Sequence, residues 1–181
     1  QAALTGHVLL STLHTNSAAG ALPRLLDMGA EPFLVASTVN VIIAQRLVRK
    51  LCPECRKEYV MDDKDLKNFQ ENYDMDNILE VIRKNDQLEK SITAKSRWEN
   101  MKFYRAVGCE QCTQGYKGRI GIFEVLEADD DVKKMIARKA TSEEIETKAK
   151  EKGMLTMVED GFIKAIQGIT SLEEILRVTK E

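Results

Sequence analysis

Apolar residues fall into three regimes along this chain. Residues 1–51 are apolar and nearly free of loop signals, residues 60–105 are charged and irregular, and residues 119–181 are regularly punctuated helix. In the first regime, His7-Val8-Leu9-Leu10-Ser11-Thr12-Leu13 is a short, nearly continuous apolar run. Its length and β-branching favour a strand buried on both faces, as in a parallel sheet, although periodicity alone does not separate it from a helix segment. Asn16 or Ser17 is placed to cap a following helix and Gly29 to end it, while Pro23 implies a kink or a late start. Pro32 suits the first position of a second helix, predicted to run to about Lys50. Val35, Val39, Ile42, Ile43 and Leu47 form its apolar stripe, and Arg46, Arg49 and Lys50 suit the negative pole of its dipole. A buried strand followed by apolar helices is the grammar of an α/β domain.

The third regime is the most legible. Thr141 before Glu144, Thr156 before Glu159 and Ser171 before Glu174 each match a capping box. Gly153 and Gly168 lie where C-terminal caps belong. Three short helices are predicted there, preceded by another that opens after Asp129-Asp130-Asp131. Their apolar positions (Ile145, Ala149, Phe162, Ile163, Ile166, Ile175 and Leu176) read as packing faces, and no catalytic residue type stands out among them.

The chain has 181 residues, enough for a real core or for one and a half small domains. It is 43% hydrophobic, 31% charged and 6% aromatic, which places it with partly helical globular proteins. Basic residues number 27 and acidic ones 29, a net charge of −2 that argues against a general nucleic-acid binder. The longest apolar stretches, 33–37 and 41–44, fall far short of the roughly 18–20 residues of a membrane span. No signal-peptide pattern opens the sequence. The start Gln1-Ala2-Ala3-Leu4, without Met, reads as a piece cut from something larger.

Cys52-Pro53-Glu54-Cys55 and Cys109-Glu110-Gln111-Cys112 account for every cysteine. Two C-x-x-C knuckles suit one tetrahedral Zn²⁺, which would lower the thiol pKa values and hold four chemically quiet thiolates. The 53 residues between the knuckles exceed the usual ribbon spacing of about 15–20, which an inserted subdomain would explain. Two disulfides, a thioredoxin-like redox pair and ordinary buried cysteines are the competing readings. Disulfides are disfavoured without secretion signals, and a redox motif would not come in duplicate. A four-sulfur shell has no open position, so its zinc would be structural, a staple between insertion and core.

The histidines are His7 and His14, bracketing the predicted strand. An odd separation of seven puts them on opposite faces of an extended strand, so one site cannot use both. Ligands of open α/β sheets bind at the carboxyl ends of strands, which favours His14 with Thr12, Thr15 and Asn16. A hydrogen-bonded loop residue at His14 and a satisfied core histidine at His7 is the plainer alternative.

The stretch Thr5-Gly6-His7-Val8-Leu9-Leu10-Ser11-Thr12-Leu13-His14-Thr15-Asn16 closely resembles the histidine box of the secretion ATPases that power type II secretion and type IV pilus assembly. The likeness continues through Arg24-Leu25-Leu26-Asp27-Met28-Gly29, Glu31-Pro32-Phe33 and Ala44-Gln45-Arg46-Leu47-Val48-Arg49-Lys50-Leu51-Cys52. It resumes at Gly108-Cys109, Gly115-Tyr116-Lys117-Gly118-Arg119-Ile120-Gly121-Ile122-Phe123-Glu124, Gly153-Met154, Asp160-Gly161 and Gly168-Ile169-Thr170-Ser171-Leu172-Glu173-Glu174, in order over roughly three quarters of the chain. The tetracysteine pattern is that of the assembly and secretion members rather than of the retraction motors, with a lean toward pilus assembly. One departure matters: no Gly here is followed by Lys, so the phosphate loop G-x-x-x-x-G-K-[ST] is missing. The acidic Mg²⁺-positioning motif is missing too, and the resemblance implies that both lie upstream of Gln1.

The implied fold is α/β: the distal part of a RecA-like P-loop ATPase domain (1–51, histidine box), a zinc subdomain (52–118, with a charged insertion at 60–105), and a C-terminal strand and helical bundle (119–181). The resemblance also implies ATP hydrolysis with Mg²⁺ in a longer parent, at the subunit interfaces of a ring, as a hexamer. His14 would contact or sense the terminal phosphate and His7 would support the box. Thr12, Thr15, Arg46 and Arg49 are nucleotide-contact candidates, with helix-end cations the plainer reading of the two arginines. Cys52, Cys55, Cys109 and Cys112 would hold zinc. An inner-membrane platform protein is the implied partner, and the implied location is cytoplasmic, peripheral at the inner face of the bacterial inner membrane. The isolated chain is expected to have negligible ATPase activity. A zinc-stapled interaction module that binds a platform or regulatory partner without chemistry is the alternative. A zinc-ribbon nucleic-acid binder finds only slight support in Arg56, Lys57, Tyr59, Tyr116, Lys117 and Arg119.

Overall fold

A computed structural model describes all residues except 1, 86, 87, 89–91, 93, 94 and 181. Seven of these fall in the 60–105 insertion, and that part of the sequence reading lies outside the described residues, as does Gln1. The chain is mixed α/β. It runs α1 (Ala18–Asp27), α2 (Pro32–Thr38), β1 (Val41–Leu51), β2 (Lys57–Val60), α3 (Asp63–Gln70), α4 (Met75–Lys84), β3 (Lys102–Arg105), β4 (Tyr116–Glu127), α5 (Asp130–Ala137), α6 (Ser142–Glu151), α7 (Met157–Ile166) and α8 (Leu172–Thr179). β1 pairs with β4, and β2 pairs with β3 antiparallel in the register Lys57 opposite Arg105 and Tyr59 opposite Phe103. Two compact units result: residues 1–45 with 123–156, and residues 46–122 with 157–181. β1 and β4 each run through both.

The first unit is assembled from helices around small side chains. Ala18, Ala19 and Leu22 of α1, Val35 of α2, Val132 and Ile136 of α5, and Ile145 and Ala149 of α6 share its core with Leu126 of β4. Ser17 caps α1 through its Oγ, which accepts the Gly20 N–H at 3.1 Å, and the helix continues through Pro23. It ends in a Schellman pair, with the Gly29 N–H on the Leu26 carbonyl and the Ala30 N–H on that of Leu25. The predicted capping box of Thr141 and Glu144 closes reciprocally at the start of α6. Asp129 caps α5, accepting from Asp131 and Val132 at 3.0 Å each.

The second unit centres on aromatic packing. Phe162 of α7 is fully buried, edge-on to Phe69 of α3 at 5.6 Å between ring centres and tilted against Trp98 at the same distance. α4, α8 and β3 all pack against α7, and α8 also meets β3. Of the four helices expected after residue 119, α5 and α6 belong to the first unit and α7 and α8 to the second.

Four expectations need correction. The run 7–13 is not a buried strand: it has no sheet partner among the described residues, and Val8 and Leu10 are more than nine-tenths exposed. A strand requires a neighbouring ladder, and the strands present pair elsewhere. With no strand there, the opposite-face argument for His7 and His14 falls as well.

The helix expected from Pro32 to Lys50 begins at Pro32 but stops at Thr38. Ser37 and Thr38 hydroxyls turn back onto the Leu34 carbonyl, at 3.1 and 2.6 Å, and the β-branched Val41-Ile42-Ile43 then starts a strand with alternating burial. Arg46, Arg49 and Lys50 are therefore strand residues, not helix-end cations. The insertion is less irregular than its charge suggests, because Asp62 and Asp74 cap α3 and α4. Met75, Ile78, Leu79 and Ile82 supply a buried helical stripe there. Last, the Ser171 side chain makes no cap bond to α8; its Oγ pairs with the Tyr116 hydroxyl at 2.9 Å.

Candidate functional site

Each cysteine pair sits at the end of a strand or in the turn before one. β1 delivers Cys52, whose N–H donates to the Gly115 carbonyl at 2.8 Å and so ties the first knuckle to the second. The chain turns at once, with the Arg56 N–H on the Cys52 carbonyl at 3.0 Å. The second knuckle turns back through Gln114 and Gly115, both at positive φ, into β4. A side chain at Gly115 would place its Cβ 2.6 Å from the Ala106 Cβ and 2.8 Å from the Val107 nitrogen, so only glycine lets the two loops close.

The four Sγ atoms lie within 4.8 Å of one another. Cys52 to Cys109 is 3.9 Å, Cys55 to Cys112 is 3.7 Å, and Cys109 to Cys112 is 3.6 Å. A tetrahedral shell with Zn–S bonds of about 2.3 Å requires sulfurs roughly 3.8 Å apart. The donor set therefore fits zinc in both chemistry and size. All four are free thiols, and Cys52 is buried. The Gly108 N–H points at the Cys55 sulfur and the Cys109 N–H at that of Cys112, both at 3.3 Å, the outer hydrogen bonds a thiolate shell needs.

Protons are shared unevenly among the sulfurs. Desolvation opposes ionisation of Cys112. Hydrogen bonds from the Cys109 N–H, the Cys109 and Cys55 thiols and the Gly115 N–H overcome it and hold Cys112 down to about 7. The Gln111 N–H favours the Cys109 thiolate, yet the bond with Cys112, desolvation and the other two thiols push Cys109 up to about 12. Burial raises Cys55. A divalent cation replaces this proton sharing with four metal bonds and releases the protons on binding.

The same strand ends are fastened to the turn before α8. The Leu51 N–H donates to the Ile169 carbonyl at 2.9 Å and the Thr170 hydroxyl to that of Arg49 at 2.8 Å. Arg56 reaches the Gly168 carbonyl and stacks on Tyr104 at 4.7 Å. Arg49 lies over the Tyr116 ring at 4.1 Å and engages Glu174 with Nε at 2.9 Å and Nη2 at 2.7 Å, while its own N–H adds a bond of 2.8 Å. Arg177 grips the same carboxylate twice at 2.8 Å. Burial disfavours the charge on Glu174, but the Arg177 and Arg49 hydrogen bonds prevail and hold it down to about 2.

Other candidate residues are dispersed. His7, exposed, shares a 2.9 Å hydrogen bond between Nδ1 and the Thr5 hydroxyl. His14 and Thr12 are exposed, and the Thr15 hydroxyl donates to the Ser17 carbonyl at 3.1 Å. Arg46 donates to the Val178 carbonyl near the end of α8. Thus the four cysteines come together, and the arginines are engaged by α8. Sequence reasoning missed the Arg49–Glu174–Arg177 cluster, because Ser171 and Glu174 imitate a capping box and nothing local points 125 residues back. It also gave no role to Glu124, which lies 3% exposed beneath the start of α1.

The family profile described as "Type II/IV secretion system protein" matches residues 1–177, and the chain belongs to that family. It is 42% identical over its whole length to "Type IV pilus assembly ATPase PilB" of Pseudomonas aeruginosa, of which it covers 28%. It is 42% identical to "Type II secretion system ATPase E" of Vibrio cholerae, covering 31% of that protein. A third relative, "Type IV pilus assembly ATPase PilB" of Thermus thermophilus, is 40% identical and 18% covered. The chain thus spans less than a third of the length of these relatives. No helix of the described residues is long and apolar enough to cross a membrane.

Proposed function

We propose that this chain is the distal part of an ATP-driven motor that powers type IV pilus assembly or type II secretion. The family match across residues 1–177, with relatives of both kinds aligned over the whole chain, carries this reading. In it, a longer protein supplies the phosphate loop and Mg²⁺-binding acidic residues that this sequence does not contain, within a RecA-like domain. Hydrolysis takes place at the interfaces of a hexameric ring. His14 faces the terminal phosphate of ATP, where a polar group can sense or stabilise transferred charge, with His7, Thr12 and Thr15 in support. Arg46 and Arg49 stay candidates for nucleotide contact only if α8 releases them.

Zn²⁺ held by Cys52, Cys55, Cys109 and Cys112 serves as a closed structural staple with no reacting position. The motor works at the cytoplasmic face of the inner membrane against a platform protein and binds no nucleic acid. The two relatives at 42% identity do not separate assembly from secretion.

Phosphate release measured on the 181-residue chain and on the full-length protein tests this reading. The short chain is expected to show no turnover above buffer. The full-length protein should hydrolyse ATP and lose most of its turnover with His14→Ala. Robust turnover by the short chain would overturn the assignment of the missing loop to the upstream segment. A full-length protein that binds no nucleotide would leave the zinc-stapled interaction module standing.

A further inference from the structure

The start of α1 satisfies a buried backbone donor with a residue far away in sequence. The first four N–H groups of an α-helix lack an intrahelical acceptor, and three of them belong to the helical residues Ala18, Ala19 and Gly20. Here Ser17 Oγ takes the third, from Gly20. The Glu124 carboxylate of β4 takes the first, from Ala18 at 2.7 Å, and the neighbouring Ala19 N–H favours its charge. Ala18 and Ala19 are fully buried and Glu124 is 3% exposed, so water cannot substitute for either partner. The charged groups facing this carboxylate from α6 are Glu146 and Lys150. They are paired with each other at 2.6 Å and largely cancel, which leaves the two N–H groups as the main partners of the carboxylate. His14 stands four residues before Ala18 on an exposed, irregular segment. The hydrogen bond from Ala18 to Glu124 ties the helix that follows to β4.

We infer that Glu124 is a positioning residue for His14: by pinning the first turn of α1 to β4, it fixes where the segment 14–17 leaves the core. The inference rests on the proposed role of His14 in ATP hydrolysis. Removing the carboxylate leaves the buried Ala18 donor unpaired and loosens the first turn, which displaces the histidine without touching nucleotide. A carboxamide keeps one accepting oxygen at the same place and is expected to preserve part of the anchorage.

The test uses both the 181-residue chain and the full-length protein. In the chain, Glu124→Ala should speed amide exchange at Ala18 and Ala19 at least tenfold and shift the imidazole signal of His14 but not that of His7. Glu124→Gln should give intermediate values. In the full-length protein, Glu124→Ala should lower kcat at least tenfold with the KM for ATP within twofold of the parent, and Glu124→Gln should recover part of that loss. Unchanged His14 signals and exchange rates in a folded Glu124→Ala chain would overturn the positioning role. So would an unchanged kcat in a protein where His14→Ala abolishes turnover. If His14→Ala itself leaves turnover intact, the proposed role of His14 fails instead, and the exchange and imidazole measurements still decide whether Glu124 places the segment.

Discussion

The cysteine knuckles and the histidine segment are the two parts of this chain with candidate chemistry, and they are built in opposite ways. The knuckles carry everything they need: four sulfurs at tetrahedral spacing, N–H groups aimed at them, and hydrogen bonds from β1 and from Tyr116 of β4 to the residues before α8. The histidine segment is largely open, with Val8 and Leu10 exposed to solvent and His14 exposed just before the helix that follows. A metal shell is local chemistry, whereas a strand is defined by its neighbours. One sequence can therefore specify the first completely and leave the second without partners.

Removing the metal should produce the largest difference between the two regions. Structural zinc contributes on the order of 10 kcal/mol in small domains. Chelation, or Cys52→Ser with Cys109→Ser, should abolish the cooperative unfolding transition of the second unit. Amide protection in α1 and α6 should persist, which hydrogen exchange would reveal. Equal loss of protection in both units would break the contrast.

Next in size is the tie between β1 and α8. Deleting a buried partner of an ion pair costs about 3–5 kcal/mol, but the side chains of Arg49 and Arg177 are 39% and 52% exposed and can return to water. Glu174→Ala is therefore expected to cost about 2–3 kcal/mol by chemical denaturation. The sign of its pH dependence follows from the depressed carboxyl. The stabilisation is complete above the ordinary value of 4.5 and is lost as pH falls from there through about 2. Glu174→Gln should flatten that acid limb. Glu124 has the opposite sign, because burial raises it: its contribution is full below 4.5 and declines as pH rises through the folded value.

Gly115→Ala should cost about 2 kcal/mol, combining a left-handed backbone with crowding against Ala106, and should weaken zinc retention in a chelator competition. Smallest of all is the effect of Val8→Asp with Leu10→Ser. In this chain the melting curve should move by less than the equivalent of about 0.5 kcal/mol, since neither side chain is buried. A large destabilisation would mean that the exposed run is packed after all.

What could be read in advance follows the range of the interactions. The helix starts at Asp129 and Thr141 and the C-terminal stops at Gly153 and Gly168 were legible because each involves residues within one turn. The paired C-x-x-C spacing identified the cysteines as a unit, since four thiols in two knuckles have few other uses. The stretch from Val41 to Leu51 misled because Val35, Val39, Ile42 and Ile43 satisfy a helical period, while the hydroxyls of Ser37 and Thr38 end the helix first. The charge of residues 60–105 concealed two helices whose Asp62 and Asp74 caps stood in plain view. Glu174 was beyond reach, because its partner Arg49 lies on another element and its own surroundings mimic a cap. Glu124 stands within the family likeness, but no pattern near it announces its burial or its contact with Ala18.

The pinch made by the two knuckles also sets how freely the protein can change length. The entropy lost on closing a chain segment grows only with the logarithm of its size, so doubling a loop adds about 0.6 kcal/mol. Between Cys55 and Cys109 the packed side chains Phe69, Ile78, Ile82, Trp98 and Phe103 must stay in place, so added length is cheap only where it enters as loop between the packed elements. The condition is that both ends return to a sulfur cluster less than 5 Å across. The centre behaves as a clasp that holds both ends of a folded insert, and loops within that insert are the natural place to splice in a reporter or to look for variation in length among relatives.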